Sequence, residues 1–248
     1  MPEQPLANRI ALVTGASRGI GRAAALALAA AGAHVVAVAR TQGGLEALDD
    51  EIRAICGQSA TLVPVDISED GALDQLGGAI HQRFGRLDIL VHAAAILGPL
   101  TPIAHLDPAQ WERVLSTNLT ATYRLIRSVE PLLRASDRPR AIFLTSGRAV
   151  RPKAFWGAYG ATKAAVDNLV RAWADELEQT NIRAVLLDPS SMRTRMRAEA
   201  MPGEDPLTLP DPSEIGPLIV ELAQVDLGLP KASVVFSEWK TAATPASA

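Results

Sequence analysis

The sequence predicts an α/β protein: one doubly wound, seven-stranded parallel sheet with helices on both faces. Three observations carry this. Short apolar, β-rich runs alternate with longer helical patterns along the whole chain. The runs are apolar at nearly every position, as expected of strands covered on both faces. A glycine-rich turn follows the first run and opens a helix.

Residues 10–14 read as the first strand and 20–31 as the helix after it. Strands follow at 34–39, 60–65, 88–92, 141–145, 182–187 and 233–236. Helical patterns lie between them at 44–56, 70–84, 108–134, 157–180 and 213–225. Six crossovers then join the seven strands, each expected to be right-handed. Between Ala23 and Ala39 only His34 is clearly polar. That run is shorter than the ~20 residues a membrane span needs, and Gly32 interrupts it, so it reads as helix then strand. Residues 1–248 read as a single domain. Residues 190–212 contain Pro202, Pro206, Pro210 and Pro212, fit no strand, and are expected to form a substrate lid. Residues 241–248 are small and polar and are expected to fray.

Composition bounds the function. The 248 residues are 48% hydrophobic and 21% charged, which excludes a disordered chain. Lys and Arg number 24 against 27 acidic residues, so there is no basic excess for nucleic acid. Cys56 is the only cysteine and cannot form an internal disulfide, which fits a reducing, cytoplasmic location. No basic stretch precedes an apolar run at the start, so no signal peptide is expected. His34, His81, His92 and His105 are scattered, and no metal site is expected.

The first strand runs into Thr14-Gly15-Ala16-Ser17-Arg18-Gly19-Ile20-Gly21. Glycines there let the backbone approach a pyrophosphate closely, and the helix N-terminus offers free N–H groups to the phosphates. At the end of the second strand, where dinucleotide folds that use NAD place an acid, the chain has Ala39 and then Arg40. A guanidinium grips a 2′-phosphate, and Arg18 adds charge, so NADP(H) is expected over NAD(H). Asp66 ends the third strand; it either accepts from the adenine amino group or caps the next helix.

Tyr159 and Lys163 are four residues apart on a helical pattern and share a face. A nearby ammonium favours the phenolate, so a partly desolvated Lys163 together with an oxidised nicotinamide ring is expected to lower the Tyr159 pKa. Ser146 follows the fifth strand, at the carboxyl end where such sheets bind ligands. Asn118 falls mid-helix against its propensity, and an irregularity there is expected to present a backbone carbonyl to a water.

Together Gly15, Gly19, Gly21, Asn118, Ser146, Tyr159 and Lys163 resemble the short-chain dehydrogenase/reductase family over about residues 8 to 240. The resemblance implies a Rossmann fold and hydride transfer between nicotinamide C4 and a carbonyl or alcohol carbon. It implies Tyr159 as general acid/base, Ser146 on the substrate oxygen and Asn118 on a relay water. Lys163 is then expected on the nicotinamide ribose. Along the cofactor it places Gly15, Ser17, Arg18, Gly19, Ile20, Gly21, Arg40, Asp66, Ile67, Ala93, Ala94, Lys163, Pro189 and Thr194. It also implies a homodimer or homotetramer formed through helices 108–134 and 157–180, where Trp173 and Leu177 fit a packing face or the core. Motifs around Gly157-Ala158-Tyr159, residues 192–198 and residues 203–206 resemble the bacterial YciK-like branch.

Some residues depart from the family pattern. The usual Asn-Asn-Ala-Gly is His92-Ala93-Ala94-Ala95, and the usual Pro-Gly is Pro189-Ser190. His92 reads as a packed, hydrogen-bonded histidine rather than a catalytic one. Arg148, Arg151, Lys153, Arg193, Arg195 and Arg197 read as a solvated basic surface, or as a site for an anionic substrate. The alternatives to a general carbonyl reductase are a 3-oxoacyl-carrier-protein reductase and a catalytically idle NADP-binding regulatory module.

Overall fold

The computed structural model describes residues 4–224 and 233–243. Its strands are β1 (Ile10–Thr14), β2 (His34–Ala39), β3 (Thr61–Pro64), β4 (Ile89–His92), β5 (Arg140–Leu144), β6 (Arg183–Asp188) and β7 (Ser233–Val235). All pair in parallel, in the order β3-β2-β1-β4-β5-β6-β7. The helices are α1 (Gly19–Ala30), α2 (Gln42–Cys56), α3 (Ala72–Phe84), α4 (Pro108–Leu115), α5 (Ala121–Arg134), α6 (Gly157–Glu176), α7 (Arg195–Ala200), α8 (Gly216–Gln224) and α9 (Phe236–Ala243).

Alternation along each strand builds two apolar layers. Ala11, Val13, Ile142, Leu144, Val185 and Leu187 face one layer with Leu28 of α1, Leu45 of α2 and Ile219 of α8. Leu12, Ala141, Phe143, Ala184 and Leu186 face the other with Leu76 of α3, Leu125 of α5 and Val170 of α6. Trp173 and Leu177 are buried in that second core, where Trp173 packs edge-on against Phe143 and donates to Glu130. They therefore provide no exposed face for a partner.

Several expected boundaries move. The pattern at 108–134 is not one helix: a π-helical turn, Ser116–Thr120, separates α4 from α5. The pattern at 157–180 stops at Glu176, and that at 213–225 begins as a 3-10 turn, Pro212–Ile215. Val225 lies outside the described residues. Phe236 does not end the last strand but opens α9, so Thr241–Ala243 are helical; 244–248 lie outside the described residues. Burial of Phe236 anchors this helix, with Trp239 stacked on it and donating to Glu221. Residues 190–212 contain α7 and a 3-10 turn, Pro206–Thr208, rather than unbroken loop. No helix of the described residues is long and apolar enough to cross a membrane.

Candidate active site

The sheet order reverses between β1 and β4, and a cavity of about 450 Å³ opens at their carboxyl ends. All of the expected cofactor residues line it: Gly15, Ser17, Arg18, Gly19, Ile20, Gly21, Arg40, Asp66, Ile67, Ala93, Ala94, Lys163, Pro189 and Thr194. Gly15 sits at φ +68, and a Cβ there would stand 2.9 Å from the Ala94 backbone. A Cβ on Gly21 would stand 2.3 Å from the Gly15 carbonyl oxygen, so α1 packs directly on the turn. The first turn of α1 carries no acidic residue and no side-chain cap. Its leading N–H groups are open to an anion, and the cradle fits a dinucleotide pyrophosphate.

Arg40 Nη1 lies 3.6 Å from Asp66 Oδ2 at the far end of this cavity. Asp66 accepts from the backbone N–H and the hydroxyl of Ser68 at 2.9 and 2.7 Å. Helix α3 begins only at Ala72, behind Gly71, so of its two expected roles Asp66 does not fill the helix cap. Ala39 and Ala95, noted in the sequence at the ends of the second and fourth strands, also line the cavity, as do Thr41, Gly44 and Met196, which were not singled out as cofactor contacts. The rule that ligands sit beyond strand carboxyl ends points to Ala39 and Ala95; Gly44 and Met196 have no such signal.

Tyr159 and Lys163 are buried on α6. Lys163 Nζ donates to the Leu144 carbonyl at 2.6 Å and lies 5.9 Å from the centre of the Tyr159 ring. Burial brings the Lys163 ammonium down to about 8, against the opposing pull of Asp167 and Asp188. Asp167 stands one turn beyond Lys163 and accepts from the Thr145 hydroxyl. This carboxylate escaped the sequence reading, although its spacing of four from Lys163 signals a shared face. The Tyr159 hydroxyl faces Ser146, whose Oγ accepts from the Arg148 N–H at 3.2 Å.

The protein's own groups do not by themselves supply the lowering expected of Lys163 together with an oxidised nicotinamide ring. Burial, with the Asp188 charge added, pushes the phenol up to about 12, against the Ser146 hydrogen bond. The Lys163 ammonium is spent on a carbonyl, and desolvation dominates. Tyr159 thus bears its proton at neutral pH.

Asn118 sits in the π-helical turn, so its expected irregularity is present. Its Oδ1 accepts from the Ile96 N–H and its Nδ2 donates to the Ile96 carbonyl, both at 2.9 Å. Its own carbonyl accepts from the Thr122 hydroxyl at 2.7 Å, so it is not an unengaged oxygen. His92 is buried between two hydroxyls, with Nδ1 2.8 Å from Thr14 Oγ1 and Nε2 2.9 Å from Thr122 Oγ1. Burial, then the Lys163 charge, brings its pKa down to about 3.

The basic residues divide. Arg193, Arg195 and Arg197 pair with Asp211, Glu199 and Glu204, so the arginines of 190–212 are compensated. Arg148 instead lies over Trp156 at 5.7 Å, and Trp156 stands edge-on to Tyr159 at 5.9 Å. Leu97, Leu100, Trp156, Met196, Ala200 and Met201 form one apolar cluster with Tyr159. Ser190 takes the left-handed conformation, φ 60, that the usual glycine adopts freely. Its N–H donates to Asp188 Oδ1 and its hydroxyl lies 3.0 Å from that of Ser237 on α9. No group of His, Cys, Asp and Glu suited to a metal ion occurs among the described residues.

Comparison with known proteins agrees with this geometry. The family model for short chain dehydrogenase matches residues 9–205. The Escherichia coli (strain K12) oxidoreductase YciK is 37% identical over 226 residues, 89% of this chain and 88% of its own. A solved short chain dehydrogenase structure from Pseudomonas syringae superposes with a TM-score of 0.91 at 37% identity, covering 94% of this chain and 96% of that one. Another, from Shigella flexneri 2a and complexed with NADP, gives a TM-score of 0.90 at 34% identity, covering 95% and 99%.

Proposed function

The chain belongs to the short-chain dehydrogenase family, with similarity to its YciK-like branch, and on that premise we propose an NADP(H)-dependent oxidoreductase that interconverts a carbonyl and an alcohol. The observation that carries the reading is the buried pair of Tyr159 and Lys163, beside Ser146, on the wall of a cavity that runs back over the glycine turn. When bound, the nicotinamide cofactor supplies or accepts the hydride.

In the reducing direction Ser146 and Tyr159 hydrogen-bond the substrate oxygen and orient the carbonyl. Tyr159 donates its proton as negative charge develops on that oxygen, so stabilisation grows toward the transition state. Lys163 binds the nicotinamide ribose and passes a proton back to Tyr159. Asn118 supports the relay water through its backbone carbonyl. Arg40 and Arg18 hold the 2′-phosphate; the solved relatives complexed with NADP and with NADPH support this preference. The apolar cluster around Tyr159 favours a carbonyl flanked by hydrocarbon. Residues 190–212 act as the substrate lid, and a cytoplasmic homodimer or homotetramer completes the proposal.

The test is fluorescence titration with NADPH and NADH, followed by NADPH oxidation across ketones, aldehydes and diketones. Tight NADPH binding with turnover, lost in Tyr159→Phe while binding persists, is the expected result. Binding of neither cofactor overturns the reading. Tight binding with no turnover over the whole panel favours the regulatory module.

A further inference from the structure

We infer that His92 is a positioning residue that locks the cofactor-facing loop and the Asn118 carbonyl into one register through a single imidazole tautomer. This rests on the oxidoreductase reading for its kinetic consequence, but not for its structural core.

The tautomer follows by elimination. The Asn118 carbonyl can only accept, so the proton of the Thr122 hydroxyl, 2.7 Å away, is directed to it. Thr122 Oγ1 must then accept from His92 Nε2, which carries a hydrogen. A neutral imidazole has one N–H, so Nδ1 is bare and accepts from Thr14 Oγ1 at 2.8 Å. Thr14 Oγ1 keeps a lone pair for the Ala94 N–H at 3.2 Å. The donors therefore run one way, from Ala94 through Thr14, His92 and Thr122 to the Asn118 carbonyl. Every donor meets an acceptor, and burial keeps water from competing. Phe143 holds the ring from the side, edge-on at 5.8 Å.

The chain joins two parts of the site. Thr14 and Ala94 border Gly15 where the backbones crowd. Asn118 grips Ile96 with its side chain, and its carbonyl, held by Thr122, is the one the proposed relay uses. Imidazole carries donor and acceptor on opposite flanks and reaches β1 and α5 at once. A shorter carboxamide in its place is expected to reach the Thr14 side only.

Two measurements test this. Long-range ¹H–¹⁵N correlation spectra of the labelled wild-type protein at pH 7 should show His92 with Nε2 protonated and Nδ1 bare. The Nδ1–H tautomer, or a doubly protonated ring, overturns the proposal whatever the activity. In turnover, His92→Asn and Thr122→Val should each lower kcat about tenfold, a ~1.4 kcal/mol loss. NADPH Kd should hardly move in His92→Asn, and the double variant should lose no more than either single one. Independent, additive losses, or an unchanged kcat in folded variants, overturn it. Because the spectra need no substrate, failure of the inference is separable from failure of the proposed activity.

Discussion

Acidification from pH 7 to pH 5 is expected to cost the fold about 2 kcal/mol through His92 alone. Burial, with Lys163 adding, depresses its folded pKa from 6.5 to about 3. In the unfolded chain the imidazole takes up a proton below about 6.5; in the folded chain it does not until about 3. The contribution is therefore complete above about 6.5 and is lost as pH falls through the window down to about 3. At pH 5 the unfolded group is protonated by about 1.5 log units more than the folded one, at ~1.36 kcal/mol per unit, less the small part already lost at pH 7. The result barely depends on the folded value, so long as it lies well below 5.

The assay is urea denaturation of wild type and His92→Asn at both pH values. Asn removes the titration but keeps a buried polar group. Other groups lose stability in the same direction, among them Asp211, held down to about 2 by Ser213 and then Arg193, and Glu214, held low by Lys240. These occur in both proteins and cancel. The wild type should lose about 2 kcal/mol more than the variant. An equal loss in both, within the ~0.5 kcal/mol of ordinary additivity error, refutes the reasoning.

Removing the Arg40 guanidinium in Arg40→Ala should raise the KM for NADPH on the order of 10- to 100-fold, from the ~1.5–3 kcal/mol of a charge-assisted hydrogen bond, and leave NADH nearly unaffected; steady-state kinetics with each cofactor decides this. Gly21→Ala places a methyl 2.3 Å from the Gly15 carbonyl oxygen. Thermal melting should show a loss of roughly 1–3 kcal/mol, and cofactor titration a weakened affinity, because the turn must shift. Arg195 borders the cavity, but it is exposed and, among the described residues, pairs with Glu199 one turn away. Arg195→Ala should therefore change stability by less than about 0.5 kcal/mol and leave the KM of acidic and neutral carbonyls alike; a selective rise for acids would place this side chain at the substrate.

Much of the molecule was legible in the sequence because its periodicities are local. Apolar strands such as His34–Ala39 announce burial on both faces. The crowding at Gly15 and Gly21 demands residues without side chains, so the cofactor end is written in glycines. What escaped depends on contacts across the chain. An irregularity at Asn118 was legible from its poor helix propensity, but the grip of its side chain on Ile96 and Thr162 was not. Phe236 reads as strand by its neighbours, yet packing with Trp239 turns it into helix.

By itself the sequence determined the parallel α/β fold and the glycine turn, and it named Ser146, Tyr159 and Lys163 as candidates, since spacing and side-chain chemistry travel with the chain. Only the tertiary structure decided the electrostatics. Which oxygen takes the Lys163 ammonium, how far burial raises the Tyr159 phenol, and which nitrogen of His92 carries the proton depend on groups far apart in sequence. Desolvation and hydrogen bonding belong to the assembled site, and no residue carries them alone.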